Sequence, residues 1–153
     1  MSVLDRIATD KAAIAQRARV RHAWERLNRI DEIRDVAILA RQGLKQREIA
    51  EQLGTTQPRV HRIQKLLALR GQSVEETPEE IILRAFVAPD GVPGGVRREL
   101  IERLKALDYT FGETDPTGGD GYVAGTWDDV RRARAKGLLA DEEYAEVRSA
   151  VHG

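Results

Sequence analysis

The order of apolar and polar residues predicts helices along most of this chain. Neither Gly nor Pro occurs before Gly43, and helix-favouring Ala, Arg, Leu and Glu are abundant there. Residues 2–29 are expected to form one long helix, with Trp24 in line with apolar neighbours as a core anchor. Asp31 is suited to cap a separate helix, which Gly43 ends.

Residues 46–65, QREIAEQLGTTQPRVHRIQK, carry a tighter pattern, typical of two short helices joined by a sharp turn. Gly54 stands where the backbone must turn, because Gly tolerates positive φ there without steric cost. Thr55 and Thr56 can cap the second helix, and Pro58 falls in its first turn, where its missing N–H is not needed. The contact between the two helices is assigned to Ile49, Ala50, Leu53, Val60 and Ile63.

This stretch resembles the helix-turn-helix of bacterial and phage transcription regulators, and TTQPRVHRI resembles their recognition helix. It departs from the family at Thr55, where an apolar residue is usual. The resemblance implies sequence-specific binding of double-stranded DNA, with the preceding helix supporting a trihelical core. An αα-hairpin that packs against another element is the alternative.

The candidate DNA-binding residues share an outward position on one of these two helices: Arg47, Thr56, Gln57, Pro58, Arg59, His61, Arg62 and Lys65. Base edges are assigned to Gln57, His61 and Arg62, which offer hydrogen-bond donors. Phosphates are assigned to Arg47, Arg59 and Lys65.

The second half of the chain predicts further amphipathic helices. One begins at Thr77, a cap that Pro78 follows at the first helical position. Another runs over residues 96–107, and Thr126 is suited to cap a third. The stretch GTWDDVRRARAKGLLADEEYAEV resembles a small helical module at the ends of some actinobacterial helix-turn-helix proteins, to which no activity is attached. Ala140 stands where that module is expected to have a capping Ser or Thr.

Charge divides the chain, although its net charge is zero. Residues 1–72 carry 15 Lys/Arg and 8 Asp/Glu, a net of +7, whereas residues 73–153 carry 10 and 17, a net of −7. We therefore predict a basic DNA-binding domain over 1–72, a linker at 73–76 and an acidic helical domain over 77–153. The acidic domain is assigned to homodimerisation, to a protein partner or to an auxiliary DNA contact through Arg131, Arg132 and Arg134.

No group of residues predicts catalysis or metal binding. Cysteine is absent, and His22, His61 and His152 have no metal-like partner at helical spacing. Neither a signal peptide nor a membrane span is recognisable. We therefore expect a cytoplasmic protein, associated with the nucleoid when bound to DNA, that is not an enzyme and holds no cofactor.

The expected fold is all-α: an N-terminal trihelical helix-turn-helix domain preceded by a long helix, and a small C-terminal helical domain. The expected function is that of a transcription regulator, above all a repressor of the phage or mobile-element type. Two alternatives stay open. One is an antitoxin-like protein-interaction module that regulates its own gene, and the other is the DNA-targeting part of a recombination system.

Overall fold

The computed structural model describes residues 2–88, 96–110 and 127–152. Within these ranges the chain forms helices and no strand, which confirms the predicted all-α class. The helices are α1 (Val3–Arg6), α2 (Lys11–Arg41), α3 (Gln46–Leu53), α4 (Gln57–Leu69), α5 (Pro78–Val87), α6 (Arg98–Lys105), α7 (Trp127–Ala135) and α8 (Asp141–His152).

The chain divides into two compact units. One, which we call the middle unit, is Arg26–Glu75, and the other, the composite unit, joins Met1–Glu25 to Glu76–Gly153. The middle unit lies almost wholly within the predicted domain of residues 1–72. Residues 1–25 group with the C-terminal half of the chain, a long-range association that the continuous basic charge of residues 1–72 did not indicate.

The helix predicted over residues 2–29 and the one predicted from Asp31 are replaced by the short α1 and a single helix of 31 residues, α2. It begins after Asp10, whose Oδ1 accepts a hydrogen bond from the Ala13 N–H at 2.8 Å. Asp31, predicted to start a new helix, lies inside α2 with its carboxylate 3.9 Å from the Arg34 guanidinium. Since neither Gly nor Pro interrupts residues 11–41, a residue suited to capping does not by itself end a helix.

The buried stripe of α2 differs from the predicted one at a single position, where Ala23 takes the place of Trp24. Trp24, expected as a core anchor, is 49% exposed, whereas Ala23 and Leu27 are 3% and 0% exposed. Successive helical residues are separated by about 100°. The stripe through Ala23 and Leu27 therefore turns the indole out of the core, and the prediction for Trp24 was wrong.

Three helices build the core of the middle unit. The C-terminal part of α2 supplies Val36 and Ala37, which pack with α3 and α4. From those two helices come Ile49, Ala50, Val60, Ile63 and Leu67. Leu53 packs against this cluster while half-buried. All five residues assigned to the contact between the two short helices therefore take part in it, including the small Ala50.

The connection between α3 and α4 follows the local signals in the sequence. Gly54 ends α3 in the left-handed region, at φ +68°. Thr56 caps α4, because its hydroxyl accepts a hydrogen bond from the Arg59 N–H at 3.3 Å. Pro58 is the second residue of α4, where the helix needs no N–H donor. These contacts fix where α4 starts, and therefore which of its residues face outward.

The polar segment that follows α4 is held to the middle unit. Arg34 of α2 donates from Nε and Nη2 to the Val74 carbonyl, at 3.1 and 3.0 Å. The Val74 side chain packs, half-buried, against the core of that unit. The stretch predicted as a linker, residues 73–76, is thus in part fixed by contacts with α2.

The composite unit packs α5 against α6 and α7, and α8 against α6 and α7. Its core includes Phe86, Ile101, Leu104, Val130 and Val147. The α5 start is as predicted, because the Thr77 hydroxyl accepts from the Glu80 N–H at 3.2 Å and Pro78 is the first helical residue. The predicted cap Thr126 lies outside the described residues.

A buried ion pair joins α6 to α8 in the composite unit. The Glu143 side chain is fully buried and accepts from Arg97 through both oxygens, with Oε1 2.8 Å from Nη2 and Oε2 2.9 Å from Nε. Oε1 also accepts from the Ala140 N–H at 2.9 Å, so Glu143 satisfies the backbone donor that precedes α8. Burial by itself raises the pKa of Glu143, but these hydrogen bonds outweigh it and hold the pKa below its ordinary value.

Candidate nucleic-acid interface

The outer face of α4 presents every side chain that the sequence assigned to it. Since the helix buries Val60, Ile63 and Leu67, the positions between them are left outward. All of the assigned residues are exposed: Thr56, Gln57, Pro58, Arg59, His61, Arg62 and Lys65. Residues three or four apart lie over one another on a helix, so His61, Arg62 and Lys65 continue the row that Gln57 and Pro58 begin.

Arg62 and Lys65 make no hydrogen bond or ion pair with any residue in the part of the chain that the structure describes. Their charges are therefore accessible on an exposed helical face. A guanidinium can donate two parallel hydrogen bonds to guanine O6 and N7, whereas an ammonium is suited to a phosphate. Arg62 and Lys65 thus supply this face with one guanidinium and one ammonium in addition to Arg59.

Arg59 holds a different position from the other cations of α4. Its guanidinium forms a bidentate ion pair with Glu32 of α2, with Nε 2.9 Å from Oε2 and Nη2 2.7 Å from Oε1. The hydrogen bonds and the charge of Glu32 raise the pKa of Arg59. The predicted phosphate ligand thus already has a carboxylate partner, which fastens the start of α4 to α2.

His61 is tied to α3 through a glutamine that the sequence did not single out. Gln46, the first residue of α3, places its Nε2 3.1 Å from His61 Nδ1. The same Nε2 donates to Gln64 Oε1 at 2.8 Å. The Gln46 amide on α3 therefore orients the imidazole, while the ring remains exposed on the outer face of α4.

Arg47, on the first turn of α3, has a highly exposed side chain. Its Nε lies 3.4 Å from Glu51 Oε1, and the two side chains are 82% and 69% exposed. Exposed pairs of this kind contribute little to stability and are screened by salt. Arg47 therefore stays accessible to a second charged partner such as a phosphate.

The middle unit has a net positive charge, which favours the binding of a polyanion. It carries 10 Lys/Arg against 6 Asp/Glu, a net of +4, whereas the composite unit is net −4. The positive charge is thus concentrated in the unit that contains the outer face of α4.

The arginine patch of α7 differs from that face in its acidic neighbours. Arg131 lies 3.3 Å from Asp128, and Arg134 lies 3.0 Å from Asp141 while its guanidinium stacks 4.6 Å from the Tyr144 ring centre. These residues line a shallow cleft of about 540 Å³. Its two carboxylates offset much of the positive charge toward an anion.

Residues 2–88, 96–110 and 127–152 contain no cluster of three or more His, Asp or Glu side chains placed to hold a metal ion. Among the helices described, none is both long enough and apolar enough to cross a membrane.

Comparison of the chain with protein-family models, with curated proteins and with solved structures finds no match. Sequence reasoning missed Glu32, Gln46 and Gln64, which hold Arg59 and His61 in place. Of these three residues, only Gln46 could have been singled out in the sequence, because it is a polar residue at the start of the stretch 46–65.

Proposed function

We propose that this protein binds double-stranded DNA in a sequence-specific manner and regulates transcription, as a repressor of the phage or mobile-element type. The observation that carries the proposal is the outer face of α4, a row of exposed hydrogen-bond donors on a helix that is fixed at its start. The positive charge of the middle unit supports it. The repressor role rests on the resemblance of residues 46–65 to helix-turn-helix regulators.

In this proposal α4 enters the major groove of the duplex. That groove is about 12 Å wide and admits one α-helix. Gln57, His61 and Arg62 then meet base edges, while Arg47 and Lys65 meet phosphates on either side of the groove. The three-helix core holds α4 rigidly, so its side chains keep one register against the bases.

Selection from a pool of random-sequence duplexes tests this function with the full chain. We expect successive rounds of binding to enrich one sequence motif. The enriched duplex should bind at least about 10³-fold more tightly than a scrambled duplex of equal length at physiological salt. A chain that enriches no motif, or that binds both duplexes equally, does not have the proposed function.

A further inference from the structure

The side-chain amide of Gln46 sits where the first turn of α3 meets the middle of α4. Its Nε2 is within hydrogen-bond distance of two acceptors, Gln64 Oε1 at 2.8 Å and His61 Nδ1 at 3.1 Å. An amide NH₂ group has two protons to donate. One proton is directed to Gln64 Oε1 and the other to His61 Nδ1.

This arrangement determines which nitrogen of His61 carries the proton. With the Gln46 amide in this orientation, its Nε2 can only donate, so Nδ1 accepts and the proton of the neutral ring is on Nε2. The ring is exposed on the outer face of α4, so its Nε2–H is available to a ligand there. The opposite tautomer requires the Gln46 amide to turn over. The Gln46 oxygen would then face the Gln64 oxygen, unless the Gln64 amide flipped as well.

We propose that Gln46 is a positioning residue for sequence readout: it fixes His61 as a hydrogen-bond donor, so that His61 selects a base that offers an acceptor. This inference rests on the proposed function, because it assumes that His61 meets a base edge. In the major groove guanine offers O6 and N7, adenine N7 and thymine O4, whereas cytosine offers the N4 donor. A donor at Nε2 therefore favours guanine most and rejects cytosine.

The first test is the tautomer of His61 in the full chain without DNA. Nitrogen NMR at about pH 8.5, where histidine side chains are ordinarily neutral, reports which ring nitrogen is protonated. We expect Nε2–H in the wild type. In Gln46→Glu a carboxylate replaces the amine donor, so we expect Nδ1 to become protonated. Gln52→Glu, an exposed position on the same helix, adds the same charge and should leave the wild-type tautomer. Nδ1–H in the wild type overturns the proposal, and so does an unchanged ring in Gln46→Glu.

The second test is base discrimination on the duplex that the wild type enriches from a random pool. Loss of discrimination in His61→Ala identifies the base pair that His61 contacts. At that base pair we expect the wild type and Gln52→Glu to reject cytosine by about 5–150-fold, the cost of leaving a desolvated donor without an acceptor. Gln46→Glu should lose most of that factor, because the proton of the neutral ring then lies on Nδ1 and Nε2 no longer donates.

Gln46→Glu with full discrimination against cytosine overturns the proposal. If no motif is enriched at all, the proposed function fails and the readout inference falls with it. The NMR measurement still decides, in that case, whether Gln46 fixes the imidazole, so the two failures remain distinguishable.

Discussion

The cations on the outer face of α4 and on α3 differ in the partners that they already have within the protein. Arg59 is engaged by Glu32 in two hydrogen bonds, and Arg47 has only a loose, exposed contact with Glu51. Arg62 and Lys65 keep their charges for an outside partner, as far as the described residues show. The same substitution should therefore have different effects at positions that look equivalent in sequence.

Arg62→Ala should lose discrimination between the selected duplex and a scrambled one, by about 1–3 kcal/mol if its guanidinium reads a guanine. Arg47→Ala should weaken both duplexes alike, because a phosphate contact carries no sequence information. Titrating both variants against both duplexes separates these effects. Equal weakening of the two duplexes by Arg62→Ala would show that this side chain does not read a base.

Glu32→Gln should raise the affinity for any duplex, because it releases Arg59 for a phosphate. The dependence of log Kobs on log salt should steepen by about 0.9 for each added phosphate contact. Asp35→Asn is the matched control, since it removes the same charge from the exposed surface of the same helix. The two variants behaving identically would mean that charge alone, and not the release of Arg59, accounts for the change.

The exposure of the α4 residues was predictable, because a helix with known apolar contacts leaves a defined outer face. The partners of those residues were not. Glu32 and Arg59 are 27 positions apart, and Gln46 and His61 are 15 apart. Such pairs depend on how the helices pack, and no local pattern encodes them.

Whole elements were predictable where their ends carry local signals. Gly54, Thr56, Thr77 and Pro78 each act within one helical turn, and each was placed as expected. The error in α2 has the opposite origin. Asp31 can cap a helix, yet the chain before it is already helical, and continuing a helix is easier than starting a new one.

The turn between α3 and α4 should be sensitive for conformational reasons. Gly54→Ala should cost about 1–2 kcal/mol, since a Cβ is strained at left-handed φ even though it would meet no atom within 4 Å. Thr56→Ala should cost about 1 kcal/mol through loss of the helix cap. Chemical denaturation measures both, with Thr55→Ala as a control that leaves the cap in place. A Thr55→Ala loss as large as that of Thr56→Ala would contradict the assignment of the cap.

The ion pair between α6 and α8 should make the stability of the composite unit depend on pH. The pKa of Glu143 is lowered in the folded state, so its contribution is fully present above the unfolded pKa of about 4.3. It is lost as the pH falls through the folded-state pKa. Glu143→Gln should cost about 3–5 kcal/mol at neutral pH, and the deficit should shrink in acid.

Denaturation followed by Trp127 fluorescence measures this deficit, in a Trp24→Phe background so that a single indole reports. Glu142→Gln, at an exposed position on the same helix, serves as the control and should change stability little. A deficit that persists unchanged in strong acid would contradict the role of the Glu143 charge.

The whole molecule combines a basic unit made of one continuous segment with an acidic unit made of two. Composition predicted the difference in charge between the two ends of the chain. It could not predict that residues 1–25 join the acidic unit, because that association depends on contacts between distant segments.

At this scale we expect two chains on each selected duplex. A single recognition helix reads only a few base pairs, so a unique site needs a second copy, with half-sites about 34 Å apart or a multiple of that distance. The acidic composite unit is suited to that contact between chains, because its net charge repels DNA. Sedimentation of the complex gives the stoichiometry. One chain on an asymmetric site would instead indicate an auxiliary DNA contact through Arg131, Arg132 and Arg134.

Under the proposed function, duplex DNA should bind to the outer face of α4. Amide NMR of the full chain, titrated with the selected duplex, tests it residue by residue. We expect the largest changes in amide chemical shift within residues 55–65 and at Arg47, with smaller changes in residues 127–152. Largest changes in residues 127–152, or no changes at all, would contradict it.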